Sequence, residues 1–80
     1  MSPTVFRYKK AKFYFFSREE SRMHIHVLTP DGEAKFWMEP EIELAVTIHL
    51  KSKETNRLKK IIEEHQNEIV CAWKHQQDKR

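Results

Sequence analysis

Two histidines separated by one residue, His24 and His26, are the side chains of this sequence best suited to chemistry. On a β-strand, residues two apart project from the same face, about 6.5 to 7 Å apart along the backbone. At that spacing, two imidazoles can chelate a metal ion, or one can act as a base and the other as an acid. The outcome depends on the side chains that the fold places beside the pair.

Cations and aromatic residues elsewhere in the chain suggest a metal-independent ribonuclease. Such a site needs one imidazole to deprotonate the ribose 2′-hydroxyl, a second to protonate the leaving oxygen, and cations to stabilise the phosphorane. We therefore take His24, His26 and Lys35 as the catalytic candidates, and we expect no cofactor. The substrate-binding candidates are cations for phosphate and an aromatic ring for base stacking, namely Arg7, Lys9, Lys12 and Trp37.

Two other interpretations of the histidine pair stay open. Two half-buried imidazoles that are hydrogen-bonded across a sheet would be structural. A metal site would need further ligands, for which Glu33, Glu39 and His49 are candidates, but no motif joins them. We therefore assign no metal ligand.

Short segments rich in β-branched and aromatic residues predict two β-hairpins. The first has strands over about 4–9 and 12–17, with a turn at Lys10–Ala11, and the second has strands over about 24–29 and 33–38. Between the hairpins, the polar segment 18–23 is expected to be a surface loop.

Two turns compete in the second hairpin, and they give the histidines opposite surroundings. A two-residue Asp31–Gly32 turn pairs His26 with Trp37 and places both histidines on the face of Lys35. A left-handed bulge at Gly32 instead shifts the pairing by one residue and puts Val27 beside Lys35. We favour the first turn because it separates apolar from polar side chains more cleanly.

Apolar residues at three- and four-residue steps predict one long amphipathic helix over about 53–76. Segment 42–50 is ambiguous between a fifth strand and an irregular crossover, and we interpret it as a crossover. The expected fold is a single α+β domain spanning residues 1–80. It consists of a four-stranded antiparallel sheet of two hairpins, packed by one long C-terminal helix.

Composition and charge indicate where the protein is located in the cell and what kinds of partner it binds. The single Cys71 cannot form an internal disulfide, which favours a reducing compartment, and we expect a cytoplasmic location. No signal-peptide pattern and no apolar run of about 20 residues is present, so no membrane partner is expected. The net charge is +3, and the first eighteen residues carry five cations and no acid. This asymmetry suits a polyanion or an acidic protein, or else a sheet edge protected by lysines.

Five pieces of the sequence, in this order, resemble a family of short bacterial proteins known as domain of unknown function 4160. They are Pro3–Arg7, the strand end Phe15–Ser17, His24–Val27, Gly32–Pro40, and the helical stripe from Leu58 to Trp73. Members of this family are often encoded beside a second small protein, and they have been regarded as toxin components of type II toxin–antitoxin pairs.

The resemblance implies a growth-inhibiting toxin that a cognate small protein antitoxin neutralises by direct contact. Small toxins of this kind often act on RNA, so by analogy RNA is the expected target and a ribonuclease the candidate activity. The alternative is a non-catalytic protein-interaction module, either the antitoxin-side partner or a structural subunit that pairs through a sheet edge or the helix, with a homodimer as one form. A third hypothesis is a small metal-binding protein that uses His24 and His26.

Overall fold

A computed structural model of the chain describes residues 4–15 and 22–78. Its sheet is antiparallel, and the spatial order of the strands follows the chain, β1-β2-β3-β4-β5. The elements are β1 (Thr4–Tyr8), β2 (Ala11–Tyr14), β3 (His24–Leu28), β4 (Glu33–Trp37), β5 (Glu43–Ile48), α1 (Ser52–Glu64) and α2 (Gln66–Asp78). The predicted α+β class is confirmed. Residues 16 and 17 of the predicted second strand and residues 18–21 of the predicted loop lie outside the described residues.

The segment after β4 forms a fifth strand, so the prediction of a crossover and a four-stranded sheet is wrong. Glu43–Ile48 pairs antiparallel with β4 along its length, with one irregularity between Lys35 and Phe36. The end of the segment favours strand structure, because it contains the β-branched residues Val46, Thr47 and Ile48. Glu43 does not favour strand structure by itself, and it joins the strand because it pairs with β4. β5 is therefore an edge strand of the sheet.

The C-terminal segment forms two helices, which corrects the single helix predicted over 53–76. The division falls at His65, whose φ is −108° and whose backbone N–H is shared between the carbonyls of Ile61 and Ile62, both at 3.1 Å. Ile69 N–H then donates to the His65 carbonyl at 3.0 Å, so helical bonding resumes at once. No glycine or proline marks this point, and hence the sequence has no signal for the break.

The turn of the second hairpin is Pro30–Asp31, because Thr29 and Gly32 exchange both backbone hydrogen bonds, at 2.8 and 3.3 Å. This turn pairs His26 with Lys35 and His24 with Trp37. The predicted pairing of His26 with Trp37 is therefore wrong by two residues. A shift of two residues leaves every side chain on its face, so the predicted grouping of these four side chains on one face is confirmed.

Gly32 is needed for a close contact, not for a left-handed turn conformation. It does not have a positive φ. A Cβ atom at this position would collide with the carbonyl oxygen of Ile48 and would lie 3.1 Å from the Cβ of His49. The single glycine of the chain thus allows the start of β4 to approach the end of β5.

The first hairpin turns at Lys9–Lys10, one residue earlier than predicted, because Tyr8 pairs with Ala11. Lys9 has a φ of 54°, in the left-handed region that non-glycine residues seldom occupy. The sequence has no glycine or asparagine at this turn that would indicate where the left-handed residue falls.

The covered face of the sheet is the face on which the two helices pack. Phe13, Val27 and Ala34 form one row across three strands, and Ile25 and Phe36 form the next. The helices bury the apolar stripe that the sequence predicted, comprising Leu58, Ile61, Ile62, Ile69 and Trp73. Full burial of each large side chain contributes roughly 1.5 to 3 kcal/mol, so this layer is the main source of stability. In the described part of the chain, no helix is long and apolar enough to cross a bilayer.

Candidate functional site

The open face of the sheet is the face opposite the helices, and its side chains form three rows across the strands. The first row crosses all five strands, the second contains His26, and the third contains His24. Registers of the strand pairs assign Arg7, Lys12, Leu28, Glu33 and Ile48 to the first row, Tyr14, His26, Lys35 and Val46 to the second, and His24, Trp37 and Glu43 to the third.

His24 belongs to the open face by register, yet its side chain is fully buried, with 0% exposure. Its ring meets the rings of His26, Trp37 and Trp73 edge to face, with centroids 5.1, 5.9 and 5.2 Å away. Its Nδ1 lies 2.7 Å from the Arg22 carbonyl oxygen. A carbonyl only accepts hydrogen bonds, so Nδ1 carries the proton. His24 therefore fixes the chain entering β3, and no surface of it meets solvent.

His26 is half-buried and lies on the accessible side of the histidine pair. Its ring stacks on Tyr14, with centroids 5.4 Å apart and planes inclined by 24°. Lys35 is its Cα partner on β4, so an imidazole and an ammonium group occupy neighbouring positions in one row. Of the two histidines, His26 is the one that a molecule on the open face can approach.

Two cations lie over the ring of Trp37. The Arg22 guanidinium carbon lies 4.2 Å from the centre of the indole ring, and the Lys35 Nζ lies 4.5 Å from it. Both distances are within the range of a cation–π interaction, each worth about 0.5 to 1 kcal/mol at an exposed site. The half-buried indole thus holds two positive charges at the third row of the open face.

Hydrogen bonds between the chain entering β3 and the chain leaving β4 hold Arg22 in place. Its Nε donates to the Glu39 carbonyl at 2.9 Å. Next to it, Met23 N–H donates to the Glu39 carboxylate at 3.2 Å, and Met38 N–H donates to the Met23 carbonyl at 2.9 Å. Three bonds at this end of the hairpin therefore position the guanidinium over Trp37.

The remaining predicted binding residues lie at the turn of the first hairpin, two of them in its strands and one in the turn itself. Lys12 lies beside Tyr14, with Nζ 5.5 Å from the ring centre, and Arg7 is the Cα partner of Lys12. Both extend the open face. Lys9 instead lies in the first turn, where it lines a groove with the Pro30–Asp31 turn and α1. The structure brings together on one face Arg7, Lys12, Lys35, Trp37 and both histidines. Lys9 lies in the adjacent turn, on the groove beside α1.

The family model of a domain of unknown function, DUF4160, matches residues 11–74. The chain belongs to this family. The matched range begins at β2 and includes every predicted site residue except Arg7 and Lys9. Searches of curated proteins and of solved structures found no match to this DUF4160 protein.

The described residues of this DUF4160 protein contain no group of three or more histidine, cysteine, aspartate or glutamate side chains that could hold a metal ion. Glu33, one of the additional ligands considered, lies at the start of β4. His24 pairs with Trp37 at the other end of that strand, so Glu33 is distant from His24 along the sheet. Cys71 is exposed and free. The metal-binding hypothesis therefore finds no third ligand for the histidine pair in this part of the chain.

Two residues of the site were not identified from the sequence of this DUF4160 protein. Arg22 lies in an irregular segment with no periodic pattern, and it reaches Trp37 only because the hairpin ends are bonded together. Trp73 was recognised as part of the helical stripe, but its contact with both Phe15 and His24 depends on tertiary packing. A better signal for Arg22 would have been its position two residues before a strand whose partner ends in tryptophan.

Proposed function

We propose that the protein is the toxin-like member of a bacterial two-gene module, that it acts in the cytoplasm on RNA, and that it binds single-stranded RNA on the open face. A cognate small protein antitoxin would neutralise it by direct contact. The family resemblance supports the module, and the chemistry of the open face supports RNA as the target.

The observation that carries this proposal is the pairing of cations with aromatic rings. Arg22 and Lys35 each lie over the ring of Trp37, and Lys12 lies over the ring of Tyr14. Single-stranded nucleic acid is bound by the same combination, because bases stack on aromatic rings or guanidinium planes while cations contact phosphate. Arg22 is exposed, so its guanidinium offers a stacking plane above the indole.

Burial divides the roles of the histidines within this proposal. His24 has no exposed surface, so it acts as a positioning residue that holds Arg22 and the start of β3. If the bound RNA is cleaved, His26 would deprotonate the attacking ribose 2′-hydroxyl, and the Lys35 ammonium beside it would protonate the leaving 5′ oxygen. RNA binding is therefore the main expected property of the protein, and RNA cleavage with His26 as the single imidazole is a separate activity to be tested.

Fluorescence anisotropy with a labelled single-stranded oligoribonucleotide tests the binding claim. The cations of the open face are Arg7, Lys12, Arg22 and Lys35. The logarithm of the association constant should therefore fall with the logarithm of the salt concentration with a slope no steeper than about −2.8, which is about 0.7 for each cation. Arg22→Gln should reduce the slope by about 0.7 and weaken binding. Lys53→Gln, which removes an exposed cation on α1, is the matched control and should have a smaller effect. Equal losses for the two variants would contradict binding on the open face.

Controlled expression in a bacterial host tests the toxin claim separately. Wild-type protein should slow growth, co-expression of the proposed antitoxin should relieve the slowing, and Arg22→Gln with Trp37→Ala should abolish it. His26→Ala should abolish RNA cleavage, measured on the purified protein, while leaving RNA binding largely intact. Growth unaffected by the wild-type protein would refute the toxin role even if RNA binding is found.

The apolar residues of the open face favour a second candidate, a protein-interaction module. Leu28, Val46 and Ile48 are 42%, 48% and 46% exposed. Surface leucine, valine and isoleucine residues that lie close together often mark a protein contact. This candidate predicts a stable complex with the neighbouring short protein and no measurable affinity for RNA.

A further inference from the structure

The two edges of the sheet are protected to different degrees. β1 has Arg7 in the strand, a lysine turn at its end and an irregularity between Thr4 and Phe6, all of which discourage pairing with another chain. β5 contains no lysine, arginine or proline, and its side chains at Leu44, Val46 and Ile48 are 40% to 48% exposed. Among the described residues, β5 pairs only with β4.

Backbone alternation shows which groups of β5 are directed to its open side. Thr29 and Gly32 exchange both hydrogen bonds, so alternate residues of β4 bond to β3 and the others to β5. Glu33 and Lys35 are in the second set, and their partners Ile48 and Val46 therefore bond to β4. Thr47, between them, directs its N–H and C=O to the open edge.

We propose that two copies of this chain associate through β5, antiparallel, with a two-fold axis at Thr47. The two Thr47 residues would exchange backbone hydrogen bonds, and Val46 of each copy would lie beside Ile48 of the other. Non-hydrogen-bonded pairs of this kind bring side chains closest together, which suits two aliphatic pairs. The irregularity that leaves Ala45 without a partner on β4 lies outside Val46–Ile48.

Charge supports a second copy as the occupant of this edge. Acidic residues Glu39, Glu41 and Glu43 precede or begin β5, and Lys51 and Lys53 follow it. Antiparallel pairing centred on Thr47 brings the acidic start of β5 in one copy toward the lysines that follow β5 in the other, twice by symmetry. A parallel arrangement would instead place acidic residues beside acidic residues, which costs free energy.

The two-fold axis is perpendicular to the sheet, so both open faces lie on the same side of the dimer. The result is one continuous sheet with the helices of both copies on its other side. A single strand pair buries much less than the roughly 1,600 Å² of a standard interface, so the dimer should be weak and concentration-dependent. The dimer does not depend on the proposed RNA binding.

Sedimentation equilibrium of the full-length protein over a range of concentrations tests this pairing, with Thr47→Pro and Thr47→Ala as a matched pair. Proline removes the N–H that points to the open edge and leaves the bonds of Val46 and Ile48 to β4 intact. Thr47→Pro should raise the dimer dissociation constant at least about tenfold, because two hydrogen bonds are lost by symmetry. Thr47→Ala retains the N–H and should change it much less, with circular dichroism confirming that both variants fold.

Charge reversal tests the orientation. Glu43→Lys and Lys51→Glu should each weaken the dimer, and the double variant should restore it. The proposal is overturned if the wild-type protein is monomeric at every concentration, or if Thr47→Pro dimerises as well as Thr47→Ala. It is also overturned if the β5 amides are protected from hydrogen exchange only when the neighbouring short protein is added, since the edge would then belong to another protein.

Discussion

The covered and open faces of the sheet use alternate residues of the same strands in different ways. On the covered face, Phe13, Ile25 and Val27 have no exposure and belong to the hydrophobic core. On the open face, Tyr14 and His26 alternate with them, and their contacts include a cation over a ring and two stacked rings. One face gains free energy by excluding water, and the other holds charges over aromatic rings at its surface.

His24 shows how the two faces meet. It belongs to the open face by register, but it is as completely buried as the core because Trp73, a core residue of α2, contacts it. We therefore expect stability to depend mainly on the covered face and the proposed RNA binding mainly on the open face, with the buried His24 contributing to both. Four substitutions test that separation, and each affects the two faces differently.

Phe13→Ala should cause the largest loss of stability, about 3 to 5 kcal/mol, because it removes a fully buried ring stacked on Phe6 at 4.4 Å. Leu28→Ala, an exposed position of the neighbouring strand, should cost less than about 1 kcal/mol. Urea denaturation followed by circular dichroism measures both. Similar losses for the two variants would mean that the helices do not bury one face preferentially.

His24→Phe should cost about 1 to 3 kcal/mol. Phenylalanine preserves the ring packing among Trp37 and Trp73 but leaves the Arg22 carbonyl without its donor. His26→Phe, at the half-buried position of the same strand, is the control and should cost less. Because the Arg22 carbonyl would lose its bond to His24, His24→Phe should also weaken RNA binding, and unchanged stability together with unchanged binding would refute the positioning role.

Gly32→Ala should cost about 1 to 3 kcal/mol, because the added methyl group must push β5 away from the start of β4. The effect should be local. Hydrogen exchange should accelerate at the β5 amides more than at those of β3, and retention of wild-type exchange rates in β5 would show that the close contact is easily relieved.

Trp37→Leu should have the smallest effect on stability, about 1 kcal/mol, since it removes two exposed cation–π contacts while keeping an apolar side chain. Its effect on RNA should be larger. Loss of the stacking platform is expected to weaken binding by about 1 to 3 kcal/mol, as measured by anisotropy. A loss of stability comparable to that of Phe13→Ala would place Trp37 in the core.

Alternation was sufficient to predict the faces of β3 and β4, because grouping apolar residues on one side depends only on odd and even positions. It was not sufficient to predict the register. Thr29–Gly32 is compatible with several tight turns, and only the reciprocal hydrogen bonds between Thr29 and Gly32 select one. The grouping of His24 with Lys35 and Trp37 on one face could therefore be predicted from odd and even positions alone. Which of these residues pair with each other could be read only from the tertiary structure.

Other features have no local signal in the chain. The first residues of β5 do not favour strand structure, and they form a strand because they pair with β4. The helix break at His65 occurs without glycine or proline, where the His65 ring stacks on Phe6 at 4.3 Å. The burial of His24 depends on Trp73, which is distant in sequence. The first depends on pairing with the neighbouring strand, and the other two involve contacts between distant segments; the periodicity of a single segment detects neither kind of contact.

The strand order β1-β2-β3-β4-β5 also has a consequence for folding. Every strand pairs with its neighbour in the chain, so the sheet forms without closing long loops, and we expect folding to be rapid. During synthesis, the whole sheet leaves the ribosome before α1 and α2, and its apolar side remains uncovered until they arrive. The interval between completion of β5 and docking of α2 is therefore when this chain is most exposed to aggregation and to chaperones.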